Sequence, residues 1–282
     1  MATVFQQERW LIDMNKSQGK LADELRAAII AGREASQEIM AVYEKNDFAV
    51  DYKEDDSPLT EADRRANEVI VKSLQKKFPR YAILAEESSD DKTRLDKDWC
   101  WIIDPLDGTK EFVKRNGEFT VNIALVYRQK PVLGVINVPV TGELYYAAKG
   151  RGARYRPEKE TACREIAVSD KVDDLRAVKS RSHASEELNQ LLNNTARITE
   201  VKERGSSLKG CLIARGEAEI YYRFNPTMEW DVAAMDCIIR EAGGIMRNLK
   251  TGERMKYNRE NSVNEDGFYV VNREENALNT SE

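Results

Sequence analysis

The chain has 282 residues, enough for one large two-lobed unit or for two domains. Apolar residues make up 41% and charged residues 33%, which is typical of a globular protein with a highly charged surface. The net charge of −5 argues against a general nucleic-acid-binding protein and against binding to an anionic membrane surface.

The cysteines and the N-terminus favour a cytoplasmic protein. Cys100, Cys163, Cys211 and Cys237 have no CxxC spacing and lie mostly in apolar surroundings, which favours reduced thiols over disulfides. The N-terminal residues lack the charged-then-apolar pattern of a signal peptide. No apolar stretch approaches the roughly 20 residues needed to span a bilayer. We therefore expect no transmembrane segment, and a homodimer is left open.

Helices and strands are predicted along most of the first half. Apolar residues at helical spacing predict a helix from Leu21 to Asn46, and a second helix is expected from Thr60 to about Phe78. Strands are expected at Tyr81–Ala85 and Trp99–Ile103. Three further strands, joined by tight turns between Phe119 and Ala148, predict an antiparallel meander.

A glycine- and charge-rich stretch from about Gly150 to Cys163 marks the expected boundary between two lobes, residues 1–150 and 151–282. Beyond it, short strand-like segments alternate with helices, which indicates an α/β lobe. A last helix is expected to begin near Glu229 and to end before Gly243-Gly244.

The stretch WCWIIDPLDGTKEFVK carries the strongest chemical signal. The apolar strand is followed by Asp104 and Pro105. Because proline has no backbone N–H to donate, we expect strand pairing to stop at Pro105. Asp104 and Asp107 would be costly to bury without a cation, and Mg²⁺ takes such oxygen ligands. Gly108 and Thr109 would offer backbone N–H groups to an anion. The alternative is an Asx-type turn with two solvated aspartates.

This stretch closely resembles the first signature motif of the inositol monophosphatase superfamily of metal-dependent, lithium-sensitive phosphatases. The longer run DPLDGTKEFVKRNGEFTVNIALV resembles its CysQ-type branch, the 3'(2'),5'-bisphosphate nucleotidases. The segment WDVAAMDCIIREAGG resembles the second signature motif, although Met235 stands where a small residue is usual. The resemblance runs from about Thr60 to Gly244 and implies a mixed α/β fold: a layered α-β-α-β-α sandwich with the active site between two lobes.

The resemblance also implies the ligands of two Mg²⁺ ions. One ion would be held by Glu86, Asp104 and the Leu106 carbonyl, and the other by Asp104, Asp107 and Asp231. A third ion near Glu86 and Asp63 is left open. Taken alone, Glu86 could be a solvated loop acid, and Asp231 could be a helix-start acid stabilised by the helix dipole.

Asp63 lies in a T-x-A-D context at the start of the second helix. From the residues alone, Thr60 and Asp63 could form a capping box, although Glu or Gln is the usual partner. The resemblance implies that Asp63 and Thr109, together with Glu86, are catalytic and position the water for in-line attack. No covalent phosphoenzyme is then required.

Two segments of the second half are implied to bind the substrate. Ser180-Arg181-Ser182-His183 resembles the R-S-H element that holds the nucleotide in bisphosphate nucleotidases, although a lone histidine is commonly structural. Gly205 and Lys209 match the G-x-x-x-K spacing at which backbone and ammonium meet the non-scissile 5'-phosphate. Ser207 as a helix cap is the competing interpretation. The implied substrate-binding set is Gly108, Thr109, Ser180, His183, Gly205, Lys209 and Asp231.

These features favour a Mg²⁺-dependent phosphomonoesterase that removes the 3'-phosphate from 3'-phosphoadenosine 5'-phosphate, giving AMP and phosphate. Action on the sulfated nucleotide is left open. The expected partner is therefore a small bisphosphorylated nucleotide rather than a nucleic-acid polymer. One alternative is an inositol monophosphatase or inositol polyphosphate 1-phosphatase with the same metal site. Another is a catalytically idle phosphate- or metal-binding regulator.

Overall fold

The computed structural model describes residues 21–45, 50–52, 58–158, 160, 162–182 and 185–278, and only the backbone of residues 50–52, 58 and 59. The α-helices in these ranges are α1 (Ala22–Tyr43), α2 (Glu61–Lys77), α3 (Thr109–Val113), α4 (Glu186–Asn194), α5 (Leu208–Ala214) and α6 (Glu229–Glu241). The strands of the first half are β1 (Val50–Tyr52), β2 (Pro58–Thr60), β3 (Ala82–Ala85), β4 (Trp99–Asp107), β5 (Thr120–Tyr127), β6 (Lys130–Asn137) and β7 (Leu144–Ala148). Those of the second half are β8 (Ala153–Arg156), β9 (Arg164–Ile166), β10 (Leu175–Ser180), β11 (Ile198–Arg204), β12 (Ile220–Arg223), β13 (Thr227–Met228), β14 (Ile245–Asn248), β15 (Val263–Asn264) and β16 (Phe268–Val271). Short 3₁₀ helices lie at Thr93–Asp96 and Glu274–Asn276.

Two sheets organise the fold. Strands β3 to β9 form a seven-stranded sheet in chain order, parallel between β3 and β4 and antiparallel in every later pair. The predicted meander is confirmed. The second sheet has the order β11-β10-β12-β16-β14, with β10 parallel to both of its neighbours. Because the first sheet continues to Ile166, position 150 lies between two of its strands, and the division into lobes there stays a prediction.

The first sheet is covered on both faces, as the alternation along β4 shows. Trp101 and Ile103 pack with the apolar residues of α1 and α2, whereas Cys100 and Ile102 pack with those of α6. A strand buried on both faces is apolar at successive positions, which explains the continuous WCWII run.

The second sheet is also covered on both faces. Tyr221 and Phe268 join the core that contains α5 and α6, whereas Tyr222 packs with Leu188 and Leu192 of α4. The layers therefore run α1/α2, first sheet, α5/α6, second sheet, α4. This order confirms the predicted α-β-α-β-α sandwich.

Two glycines let α6 fit between the sheets. A Cβ atom at Gly134 in β6 would collide with the Ala234 carbonyl oxygen of α6. A Cβ atom at Gly210 in α5 would collide with the Met235 side chain. Met235, unusual at its position, is therefore accommodated because the facing residue of α5 has no side chain.

Two expectations from the sequence concern the cysteines and membrane-spanning segments. All four cysteines are free, and Cys100, Cys211 and Cys237 are buried, so the prediction of unpaired thiols is confirmed. Within the described ranges, no helix combines the length and the apolar character that crossing a bilayer requires.

Candidate active site

Strands β3 and β4 bring two carboxylates to one edge of the first sheet. Ala85 pairs with Ile103, and the Glu86 N–H donates to the Ile103 carbonyl at 3.1 Å, so Glu86 lies beside Asp104. The expectation that pairing ends at Pro105 is wrong. Pairing with β5 is interrupted after Asp104 and resumes at Asp107, because a bulge takes up the residue that lacks an N–H.

Asp104 is buried among other acids, with 1% of its surface exposed. Burial raises its pKa well above the usual value, and the negative charges of Glu86, Asp107 and Asp231 raise it further. Its Oδ1 accepts a hydrogen bond from the Leu106 N–H at 3.0 Å. The predicted carboxylates thus lie close enough to repel one another, which a cation between them would relieve.

Asp231 joins this group from the first turn of α6. Its Oδ2 accepts the Met228 N–H at 2.8 Å, so the helix-start interpretation is confirmed. Burial raises its pKa to about 8, and the charge of Asp107 contributes to this. A carboxylate has two oxygens, so capping the helix and facing the other acids are compatible roles.

Asp63 and Thr109 contact each other across the site. Asp63 Oδ2 accepts from the Thr60 N–H at 2.7 Å and from the Thr60 hydroxyl at 2.6 Å, which confirms the capping box of α2. Asp63 Oδ1 accepts from Thr109 Oγ1 at 3.3 Å, and Thr109 Oγ1 is also 3.3 Å from the Leu106 carbonyl oxygen. The predicted water-positioning pair is therefore hydrogen-bonded, although its catalytic role stays a prediction.

Asp107 is held by the loop before α5. Its Oδ2 accepts from the Ser207 N–H at 2.7 Å, and Ser206 Oγ and Ser207 Oγ each lie 2.9 Å away. Ser207 stands at the N-cap position of α5, but its side chain makes no cap hydrogen bond. The interpretation of Ser207 as a side-chain cap is therefore wrong: its hydroxyl donates to Asp107, and its oxygen accepts from Asn122 Nδ2 at 2.9 Å instead of from a backbone N–H of α5.

A cavity of ≈ 270 Å³ opens between residues of the two sheets. The predicted site residues that line it are Glu86, Asp107, Gly108, Thr109, Ser180, Lys209 and Asp231. Three predicted site residues lie behind this lining. Asp63 and Leu106 contact the lining residue Thr109, and Asp104 lies close to Glu86, Asp107 and Asp231. Gly205 precedes the lining residue Ser206, and its N–H donates to Glu118 at 2.8 Å. His183 lies outside the described residues.

Three cations also line the cavity; Lys110 is exposed, whereas Lys209 is buried and Arg223 is partly buried. Lys209 has 6% of its surface exposed, its Nζ donates to the Ser206 carbonyl, and it lies 5.6 Å from the centre of the Tyr221 ring. Burial lowers its pKa to about 8; the charge of Asp107 opposes this shift and that of Arg223 adds to it. A buried ammonium near a guanidinium would be stabilised by a bound anion.

The sequence analysis did not predict Arg223. It ends β12, as Ser180 ends β10, and these two strands are parallel neighbours. Parallel strands end at the same sheet edge, so recognising β10 and β12 as parallel neighbours in the sequence could have placed Arg223 beside Ser180.

The donor atoms fit Mg²⁺ in chemical type. The predicted ligands offer only carboxylate and carbonyl oxygens, which this hard cation prefers, and their mutual repulsion calls for positive charge. Among the residues that the structure describes, no three His, Cys, Asp or Glu side chains are already grouped so as to hold a metal. One oxygen each of Asp104, Asp107 and Asp231 accepts a hydrogen bond from a backbone N–H.

Comparison with known proteins identifies the class. The model of the inositol monophosphatase family matches residues 21–280, and the chain belongs to this family. The 3'(2'),5'-bisphosphate nucleotidase CysQ of Salmonella typhimurium is 41% identical over 242 residues, which cover 85% of this chain and 96% of that protein. The CysQ of Escherichia coli K12 is 40% identical over 240 residues, 84% of this chain and 95% of that protein.

Solved structures agree with this assignment. The crystal structure of CysQ from Bacteroides thetaiotaomicron aligns with a TM-score of 0.78 at 42% identity, covering 89% of this chain and 98% of that one. Thermotoga maritima IMPase aligns with a TM-score of 0.74 at 27% identity, covering 89% and 92%. The expected fold is confirmed by both.

Proposed function

We propose that this protein is a Mg²⁺-dependent 3'(2'),5'-bisphosphate nucleotidase that removes the 3'-phosphate from 3'-phosphoadenosine 5'-phosphate. One observation carries the proposal: the carboxylates of Asp107 and Asp231 share a cavity with the cations of Lys209 and Arg223. In a substrate with two phosphates, one phosphate can lie at the metal held by the carboxylates and the other can contact Lys209 and Arg223. Inositol 1-phosphate has no second phosphate for the two cations. The CysQ relatives at 40–41% identity support the same choice.

The proposed metal ligands are Glu86, Asp104, Leu106 (by its carbonyl), Asp107 and Asp231, for two ions with a third left open. When bound, the metal supplies positive charge that neutralises the phosphate and activates water as the nucleophile. The protein's part is to keep these carboxylates close together around the buried Asp104, as the raised pKa of Asp104 indicates.

The remaining roles belong to side chains of the chain itself. Asp63 Oδ1 accepts a hydrogen bond from the Thr109 hydroxyl, whose oxygen can then accept a hydrogen bond from the attacking water. Lys209 and Arg223 would hold the 5'-phosphate, the ammonium as a point charge and the guanidinium as a planar donor. Ser180 lines the same cavity and would also contact the nucleotide.

The compartment and the assembly are also part of the proposal. The free cysteines suit a reducing compartment, so we place the protein in the cytoplasm. A homodimer stays a prediction that sedimentation of the purified chain would settle.

The decisive experiment measures phosphate release from 3'-phosphoadenosine 5'-phosphate and from inositol 1-phosphate in parallel, with Mg²⁺ and then with added lithium. We expect strong preference for the nucleotide and loss of activity with lithium. Preference for the inositol ester would keep the metal site and overturn the assignment of the two cations. Activity on neither, together with Mg²⁺ binding, would favour an idle binding protein.

A further inference from the structure

Glu118, which lies between α3 and β5, connects two loops of the second sheet. Its carboxylate accepts two hydrogen bonds from the Arg181 guanidinium, from Nε at 2.9 Å and from Nη2 at 2.9 Å. It also accepts the Gly205 N–H at 2.8 Å. Arg181 directly follows β10, and Gly205 directly follows β11. One carboxylate, from the segment that precedes β5, therefore contacts the starts of both loops proposed to bind the nucleotide.

The packing around this carboxylate is tight. A Cβ atom at Gly205 would lie 2.6 Å from the Glu118 carbonyl oxygen and 3.0 Å from its Cβ, so the loop rests directly on the Glu118 backbone. The Glu118 side chain is 17% exposed, whereas that of Arg181 is 40% exposed. A largely buried carboxylate with a bidentate arginine and a backbone donor is a well-defined arrangement.

A second contact joins the same regions. Ser182 Oγ donates to Glu111 Oε1 at 2.6 Å, and Glu111 has 4% of its surface exposed. Glu111 belongs to α3, whose first residue is Thr109. The loop after β10 therefore rests on the segment that leaves the carboxylate region.

We propose that Glu118 is a positioning residue that fixes the distance between the two phosphate-binding regions and so selects bisphosphorylated nucleotides. This inference rests on the proposed function. The proposed metal ligands lie in β4, directly after β3 and in the first turn of α6, whereas Lys209 follows the loop that begins at Gly205. Since Glu118 precedes β5 of the first sheet and accepts a hydrogen bond from Gly205, it sets how far the ammonium lies from the reacting phosphate. A monophosphate does not span this distance and does not depend on it.

The test replaces Glu118 with glutamine, which keeps the shape and removes the charge. We expect the Glu118→Gln variant to raise KM for 3'-phosphoadenosine 5'-phosphate about tenfold, equivalent to about 1.4 kcal/mol, with kcat nearly unchanged. KM for inositol 1-phosphate should stay near the wild-type value. Calorimetry should show a similar loss of affinity for AMP, which is independent of turnover.

A control pair lies beside β4 and β5. Asp98 accepts two hydrogen bonds from Arg128, each at 3.1 Å, and neither residue lines the cavity. The Asp98→Asn variant disrupts the same bidentate geometry at a more exposed place and should leave both KM values unchanged. If Glu118→Gln does not fold, Arg181→Lys tests the same contact, because lysine keeps the charge and loses the bidentate geometry; it should raise the nucleotide KM several-fold.

The outcomes separate the two proposals. Nucleotide hydrolysis by the wild type with an unchanged nucleotide KM in Glu118→Gln would overturn the inference and leave the function intact. An equal rise of KM for both substrates would assign Glu118 a general structural role and overturn the inference as well. A wild type that does not hydrolyse the nucleotide would refute the function and, with it, the inference.

Discussion

Replacing Lys209 with methionine separates the effect of its charge from the effect of its packing. The side chain is 6% exposed in the cavity wall, and methionine has similar length without a charge. A hydrogen bond between charged groups contributes about 2 kcal/mol, so the Lys209→Met variant should raise KM for the bisphosphate nucleotide about 30-fold. KM for inositol 1-phosphate should rise far less, because that ester has no second phosphate.

The same substitution should leave stability nearly unchanged. Burial lowers the pKa of Lys209 to about 8, so at pH 7 the side chain is charged in a place that disfavours the charge. Methionine removes this cost but leaves the Ser206 carbonyl without its donor. These effects oppose each other, and we expect the free energy of unfolding to change by about 1 kcal/mol or less.

Steady-state kinetics on both esters and urea denaturation test this prediction together. Lys202→Met is the matched control, since Lys202 Nζ also donates to a backbone carbonyl, that of Glu217 at 2.9 Å, away from the cavity. It should leave both KM values unchanged. A nucleotide KM near the wild-type value in Lys209→Met would refute the assignment of the second phosphate to this lysine. A large loss of stability would instead show that the ammonium is structural.

Two further predictions concern the acids. Asp104→Asn removes a ligand proposed for both ions and should lower kcat at saturating Mg²⁺ by at least about a thousandfold; near-normal turnover would contradict a shared ligand. Burial would raise the pKa of Glu219, but hydrogen bonds from Arg176 and Ser169 outweigh it and hold the pKa below the usual 4.5. Its stabilisation is therefore present above pH 4.5 and is lost as the pH falls through the lower folded pKa. Glu219→Gln should cost about 2 kcal/mol at pH 7, and denaturation at successively lower pH should show the difference shrinking. A difference independent of pH would contradict this account.

Local patterns predicted many of the helices and strands, whereas the layers of the fold and the ligand set were implied by the family resemblance. The period of apolar residues predicted α1, the Thr60–Asp63 pattern predicted the start of α2, and turn residues predicted the meander, because these features depend on neighbouring residues. The residues at which strands and helices end were harder to predict. Pro105 lacks a donor, but whether a strand ends or bulges there depends on the partner strand, and β5 pairs again at Asp107.

Contacts between distant segments account for most of what the sequence did not reveal. Ser207 has the identity of a helix cap, yet its hydroxyl donates to Asp107 and its oxygen accepts from Asn122, two residues of the first sheet. Arg223 lies in no motif, and Glu118 lies in a quoted motif that gives it no role; their contacts follow from which segments meet in the fold. The strand β11 was not predicted, because its polar sequence suits an edge strand whose surface faces solvent.

The position of α6 between the sheets also bears on how the protein is made. Its first turn carries Asp231, whereas Glu86, Asp104 and Asp107 precede it by a large part of the chain. A ribosome therefore releases three of the proposed acidic ligands long before the fourth. A chain that ends before α6 therefore holds three of the four proposed acidic ligands. The proposed ligand set is complete only after the helix that fills the space between the sheets has been synthesised.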